Sequence, residues 1–167
     1  EEGYVVEELR KLQDYPVLGT IRMENEGGGW RGTEEERLAL FRAILPHVDA
    51  VDIELGAREI LDDVVSDAHG QRKVVIGSYH NFKETPPTPR LAGAVNDGKL
   101  LDVDIVKVAT MCHSWEDLTR LGAFTLEHAP KNIVSIGMGP HGAASRVFFP
   151  VLGSLLTYTF DGEATAP

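Results

Sequence analysis

The sequence predicts an α/β protein in which parallel strands are connected by helices. Short apolar runs rich in β-branched residues alternate with amphipathic stretches that are long enough for helices. Successive runs begin roughly 30 residues apart, which is the length of one βα unit. Because no hairpin signal separates any two runs, each strand has to be followed by a crossover that leaves the next strand parallel to it.

The apolar runs predict six strands, since β-branched residues are favoured in strands. They cover residues 16–22, 50–55, 73–78, 103–109, 132–138 and 154–160. Six helices are predicted between them, at residues 4–12, from Thr33, around 60–65, at 90–95, after Ser114 and at 142–152. Thr33 and Glu36 have the spacing of a capping box, and the helix after Ser114 is expected to turn Leu118, Leu121 and Leu126 inward.

Two architectures contain such units: an open doubly wound sheet and an eight-stranded barrel. A nucleotide-binding open sheet carries a glycine fingerprint after its first strand, but residues 22–32 contain neither GxGxxG nor a P-loop lysine. Polar residues stand instead at the predicted strand ends, where barrel enzymes hold their catalytic groups: Arg22, Glu54, His80 and Lys107. These observations favour part of a TIM (β/α)8 barrel, about six of its eight βα units, over the open sheet.

Length and composition limit the classes of function. A chain of 167 residues that is 43% apolar is expected to form one domain, residues 1–167, with a packed core. Its formal charge of -10 disfavours nucleic acid and anionic membrane surfaces as partners. No apolar run approaches a membrane span, and a single cysteine excludes an internal disulfide, so a cytoplasmic location is expected. Arg outnumbers Lys by ten to six, which fits a salty cytoplasm and an ordinary acidic surface equally well.

Lys107 is the most informative residue of the sequence. It lies in a run, DIVKVAT, whose aliphatic residues predict a strand buried on both faces, and an unpaired ammonium is costly there. Burial lowers the pKa of an amine, as attack on a carbonyl to form a Schiff base requires. The alternative is a structural lysine at a strand end, paired with Asp104 or Glu54.

Other candidates follow from residue type and position. His80 comes just after a predicted strand, where it is either a general acid and base or an ordinary loop histidine. Arg22 and Arg146 lie beside glycine-rich segments, which suits the binding of a carboxylate or phosphate, although a surface ion pair explains each of them equally well. Cys112 is interpreted as a small apolar-like loop residue, and because metal-ligating side chains are not clustered, no metal is expected.

Taken together, these motifs resemble the type I 3-dehydroquinate dehydratase family, the Schiff-base enzymes of the shikimate pathway. The resemblance extends over nearly the whole chain and is specific in its order and spacing. Its motifs are PVLGTIR followed by EGG, DIEL, SYHNF, DIVKVA, MG with a following SR, and the closing ATAP.

The resemblance implies a (β/α)8 barrel lyase that converts 3-dehydroquinate to 3-dehydroshikimate and water without a cofactor. It further implies that Lys107 forms the imine and that His80 moves the protons. By the same carry-over, the substrate is bound by Arg22, Glu26, Arg146, Tyr158 and Thr165. The family often forms dimers, so a homodimer is one expected assembly.

The sequence also departs from the family pattern. Two strands and a Glu-x-Arg-x-Asp motif that precede the first strand in the family are not present, and the chain stops at Pro167 before the family's closing Gly-Gln. These departures predict a barrel that lacks its first two strands and its extreme C-terminus. Two other functions therefore remain open: a class I aldolase-like Schiff-base barrel, and a degenerate barrel that binds a carboxylic acid without turnover.

Overall fold

A computed structural model describes residues 2–159, and for Glu2 it describes only the backbone. The described residues form seven helices and five strands. The helices are α1 (Glu2–Arg10), α2 (Glu34–Ile44), α3 (Leu61–Gly70), α4 (Thr88–Leu100), α5 (Trp115–His128), α6 (Gly139–Gly142) and α7 (Ser145–Leu152). The strands are β1 (Leu18–Thr20), β2 (Ala50–Glu54), β3 (Val74–Asn81), β4 (Ile105–Met111) and β5 (Ile133–Met138).

The five strands form one sheet in the order β1-β2-β3-β4-β5. β1 and β2 pair in parallel with Gly19 opposite Val51, and β4 and β5 pair in parallel with Lys107 opposite Val134. A doubly wound sheet reverses its strand order at a switch point, whereas a barrel places each strand beside its predecessor in the chain. The parallel α/β fold class is thus confirmed, and the sequential order is that of consecutive units of a (β/α)8 barrel.

The chain divides into two compact units. The first comprises the residues up to Gly77 together with Leu101–Asp104, and the second comprises Ser78–Leu100 and the residues from Ile105 onward. In the first unit, apolar residues of α2, β2 and α3 form a core that includes Phe41, Val51 and Leu61. In the second, alternate residues of β4 and β5 form a core cluster of Ala109, Val134, Ile136 and Met138.

Local sequence signals explain where the helices begin. The capping box at α2 is present: Thr33 Oγ1 accepts a bond from Glu36 N, and Glu36 Oε2 accepts one from Thr33 N at 2.8 Å. Ser114 caps α5 in a similar way by accepting from Asp117 N. The prediction for the inward face of α5 is partly wrong, because Leu126 is 62% exposed and the buried positions recur as Leu121, Phe124, Thr125 and His128.

Three strand predictions need correction. β1 has only three residues, because the chain already turns at Arg22, whose carbonyl accepts a bond from Trp30 N. β3 continues to Asn81, so His80 lies inside the strand and not after it. The sixth strand is wrong, since residues 154–159 have no strand structure and Ser135 N donates to the Ser154 hydroxyl where a strand would offer a backbone carbonyl.

Among the described residues, no helix is long and apolar enough to cross a bilayer. Within the same part of the chain, no three His, Cys, Asp or Glu side chains are grouped so that they could hold a metal ion.

Candidate active site

Lys107 lies in the middle of β4 and is only 7% exposed. Its neighbours Val106 and Val108 are also buried, as the sequence predicts. Side chains alternate between the two faces of a strand, so Lys107 shares a face with Ile105, Ala109 and Met111, which belong to or pack against the core cluster of the second unit. The lysine is therefore an ionisable group set within an apolar face of the sheet.

An aromatic ring covers the amine of Lys107. Its Nζ lies 4.4 Å from the centroid of the Tyr158 ring, which is a cation–π contact. Tyr158 also packs against the core cluster that faces the lysine. The structure therefore brings together two of the residues that the sequence marks as candidates, although they are 51 positions apart in the chain.

Arg146 fixes the backbone that carries Tyr158. Its Nη1 donates to the carbonyl of Tyr158 at 2.9 Å, and its own carbonyl accepts from Thr157 Oγ1 at 2.7 Å. The segment is held to β5 as well, by a bond from Leu155 N to Ile133 O. Arg146 thus lies next to the residue whose ring contacts Lys107, and one of its donors is engaged by the main chain.

The glycine-rich turn after β5 positions α7 and therefore Arg146. A Cβ atom on Gly142 would lie 2.3 Å from the carbonyl carbon of Gly137, so only glycine allows this approach. Ser145 Oγ accepts from Gly137 N at 2.8 Å and ties the start of α7 to the strand. At the other end of α7, Gly153 has a φ of 105°, which lets the chain reverse toward Tyr158. Packing thus explains Gly142 and Ser145 of this motif.

His80 is half-buried near the end of β3, and its ring stacks on Phe82 with 6.0 Å between centroids. The strand ends directly after it, because Asn81 Oδ1 accepts bonds from the backbone N–H groups of Lys83 and Glu84. The side chain of Asn81 therefore forms the turn. His80 belongs to the same compact unit as Lys107.

Arg22 and Glu26 lie in the first unit, whereas the other described candidates lie in the second. Arg22 follows β1 and contacts two carboxylates of β2: its Nη2 lies 2.6 Å from Asp52 Oδ1, and its Nη1 lies 3.4 Å from Glu54 Oε1. Glu26 is half-buried in a short 3-10 turn and lines a cleft of about 250 Å³ together with Arg58. Thr165 lies outside the described residues.

Sequence reasoning missed Arg37, which is fully buried in α2 and pairs with Glu54 at 2.7 Å. A signal was present, since Arg37, Phe41 and Ile44 recur at helical spacing on the buried face. An arginine on such a stripe has to be paired with a buried acid. Glu54, considered as a partner of Lys107, accepts bonds from Arg37 Nη1 and from the backbone of Met23.

Cys112 lies directly after β4, as a small apolar-like residue that is 1% exposed. Its Sγ contacts Thr85 Oγ1 at 3.4 Å. Burial raises the pKa of the Cys112 thiol, and the hydrogen bond with Thr85 opposes this only in part. Because the thiolate is the nucleophilic form, the residue is suited to packing and not to catalysis.

Comparison with known proteins identifies relatives of the chain. The family model for type I 3-dehydroquinase matches residues 3–167. The 3-dehydroquinate dehydratase of Methanococcoides burtonii is 36% identical over all of this chain and 71% of its own length, and that of Thermodesulfovibrio yellowstonii is 34% identical over 98% and 71%. The crystal structure of 3-dehydroquinate dehydratase from Geobacillus kaustophilus matches with a TM-score of 0.94 at 29% identity, covering 100% of this chain and 69% of that one.

Proposed function

The chain belongs to the type I 3-dehydroquinase family, and from this premise we propose that it converts 3-dehydroquinate to 3-dehydroshikimate and water through an imine on Lys107. His80 is the general acid and base of this proposal. The observation that carries it is the burial of Lys107 on β4, with its amine against the Tyr158 ring. A lysine so placed is shielded from water and can meet a ketone.

The proposed reaction starts with addition of the Lys107 amine to the substrate ketone and loss of water. The resulting protonated imine withdraws electrons from the adjacent C–H bond, and His80 removes that proton. The electron pair moves to the nitrogen as an enamine, and its return expels the β-hydroxyl group. That group leaves as water with the proton from His80, and hydrolysis of the imine then releases the product and restores Lys107.

Binding of the substrate is assigned to side chains that suit a polyhydroxylated carboxylic acid. Arg146 is proposed to bind the carboxylate, because a guanidinium can donate two parallel hydrogen bonds to one. Arg22 and Glu26 are proposed to hold carboxylate or hydroxyl groups, and Tyr158 to form an aromatic wall. Thr165 is proposed as a carboxylate-binding hydroxyl. A cytoplasmic location and a homodimer also stay predictions, which cell fractionation and sedimentation would check.

Borohydride trapping tests the proposed function. The chain is incubated with 3-dehydroquinate and sodium borohydride, and peptide mass spectrometry locates any adduct. We expect an adduct on Lys107 that is lost in Lys107→Ala and kept in Lys131→Ala, a change at an exposed lysine. An adduct only with a sugar phosphate would indicate the aldolase-like alternative, and binding without any adduct would indicate the degenerate barrel.

The role of His80 is tested separately. His80→Ala should still form the imine, slowly, whereas kcat should fall by about 10²–10⁴, the usual contribution of a positioned general acid and base. Stopped-flow assay of product absorbance and trapping on the same sample distinguish the two steps. Full elimination by His80→Ala would show that another group moves the proton.

A further inference from the structure

Arg37 lies at the centre of a buried ion-pair network in the first unit. Its side chain is fully buried, yet it carries a permanent charge. Nη1 donates to Glu54 Oε2 at 2.7 Å and to the carbonyl of Ile21 at 3.1 Å, and Nη2 donates to Glu34 Oε2 at 2.8 Å. Arg37 thus holds one oxygen of Glu54 and the backbone residue that precedes Arg22.

Glu54 connects Arg37 to Arg22. While its Oε2 atom accepts from Arg37, its Oε1 atom accepts from Met23 N at 2.9 Å and lies 3.4 Å from Arg22 Nη1. The residues on both sides of Arg22, Ile21 and Met23, are therefore bound to Arg37 or to Glu54. A displacement of Arg37 would move the carboxylate and the backbone that orient the Arg22 side chain.

Removing Arg37 makes this network more negative by one charge. Arg22 and Arg37 carry two formal positive charges, while Asp52, Glu54 and the 18% exposed Glu34 carry three negative ones. The network therefore sums to -1 with Arg37 and to -2 without it. Because buried charges are poorly screened, an approaching carboxylate would then meet repulsion where Arg22 should attract it.

We propose that Arg37 is a positioning residue for Arg22: it neutralises and holds Glu54 so that Arg22 can bind an anionic group of the substrate. The inference rests on the proposed function, since it takes Arg22 as a substrate-binding group. Arg37 is proposed to act without contacting the substrate, because its side chain has no exposed surface although it borders the cleft beside Glu26. Its effect passes through Glu54 and the backbone around Arg22.

Four variants test this role by steady-state kinetics with 3-dehydroquinate. Arg37→Met should raise KM at least tenfold and change kcat less than threefold, because it weakens binding and not the chemical step. Arg37→Lys keeps the charge but not the forked geometry, so its KM should lie between those of the parent chain and Arg37→Met. Adding Glu54→Gln to Arg37→Met returns the network to the net charge of the parent chain and should recover most of the loss in KM. Arg42→Met, on the same helix in an exposed pair with Asp67, should change neither constant.

The outcomes decide between a positioning role and general destabilisation. A folded Arg37→Met variant with unchanged KM would overturn the inference, and so would a double variant that binds no better than the single one. If Arg37→Met does not fold, Arg37→Lys takes its place, and a folded Arg37→Lys variant with unchanged KM would overturn the inference.

A second measurement does not depend on activity. The side-chain Nε–Hε NMR signal of Arg22 should be sharp in the parent chain and in Arg42→Met, and shifted or broadened in Arg37→Met. If the parent chain neither turns over 3-dehydroquinate nor forms an adduct, the proposed function fails and this signal alone decides the inference. An Arg22 signal unchanged by Arg37→Met would then overturn it.

Discussion

The amine of Lys107 and the thiol of Cys112 show how similar burial leads to different chemical properties. Both lie on or directly after β4, and both are less than 10% exposed. The lysine faces an aromatic ring, which attracts a cation and, by the same electrostatics, the protonated imine that the proposed reaction forms. The cysteine contacts the Thr85 hydroxyl, and burial raises the pKa of its thiol although the charge of Arg120 acts in the opposite direction.

Cys112 is therefore expected to react slowly with thiol reagents. Its burial and its raised pKa both reduce the concentration of accessible thiolate at pH 8. With 5,5′-dithiobis(2-nitrobenzoate), the native chain should react at least 100-fold more slowly than the chain in urea. Because Cys112 is the one cysteine of the sequence, Cys112→Ala gives the baseline. Equal rates in the two states would contradict the buried placement.

At the scale of elements, the start of α2 is defined by its capping box. Thr33→Ala removes the hydroxyl that accepts from Glu36 N and should lower the free energy of unfolding by about 0.5–2 kcal/mol. The loss can be measured by urea denaturation at pH 7. Thr119→Ala is a matched control, since its exposed hydroxyl donates to the Trp115 carbonyl inside α5 and caps no helix end. An equal effect of both substitutions would contradict a capping role.

The same capping box predicts a dependence on pH. The backbone N–H and the hydroxyl of Thr33 donate to Glu36 and hold the pKa of its carboxyl below the ordinary value of 4.5. A carboxyl whose pKa is lower in the folded state stabilises the fold above its unfolded pKa, and this contribution is lost as the pH falls through the folded pKa. The stability difference between the parent chain and Glu36→Gln should thus shrink from pH 7 to pH 3. The neighbouring Glu35→Gln should show less change, and an equal change would contradict the assignment.

β3 shows why element boundaries matter for function. Its last residues carry His80, and the strand reaches Asn81 because the Asn81 side chain, not a helix signal, ends it. A prediction that stops the strand at Ser78 leaves His80 in a mobile loop. In the structure, the half-buried ring is held on a strand of the same sheet as Lys107, which fits the proposed role of His80 in proton transfer.

At the scale of the whole molecule, the negative charge of the chain affects its stability. Acidic side chains outnumber basic ones by 26 to 16, so repulsion between them opposes the folded state at low salt. Raising NaCl from 0.01 M to 0.3 M shortens the Debye length from about 30 Å to below about 10 Å. The weaker repulsion should raise Tm by about 2–4 °C, because a stabilisation of about 1 kcal/mol shifts Tm by that amount in a chain of this size.

Differential scanning calorimetry at several salt concentrations measures this shift. Screening predicts that most of the rise occurs below about 0.3 M, where the Debye length changes most. A Tm that falls with salt, or that rises only above about 1 M, would contradict a screening effect. The second pattern is what a salty cytoplasm would select for.

The sequence by itself determined the α/β class, five of the six predicted strands, the cap of α2 and the burial of Lys107. These follow from hydrophobic period, capping spacing and the cost of burying a charge, which are all properties of neighbouring residues. Family motifs marked His80 and the substrate-binding candidates, because their order and spacing are also local information.

Only the tertiary structure decided which distant residues meet. In the folded chain, the Tyr158 ring lies over Lys107, and Arg146 donates a hydrogen bond to the Tyr158 carbonyl. Glu54 forms ion pairs with both Arg37 and Arg22. The sixth predicted strand does not form at residues 154–159, where the Ser154 hydroxyl accepts the hydrogen bond from Ser135 N that a strand would have accepted with a backbone carbonyl. Partners far apart in the chain are set by packing and by competition for hydrogen bonds and charges, and this competition is resolved only when the chain is folded.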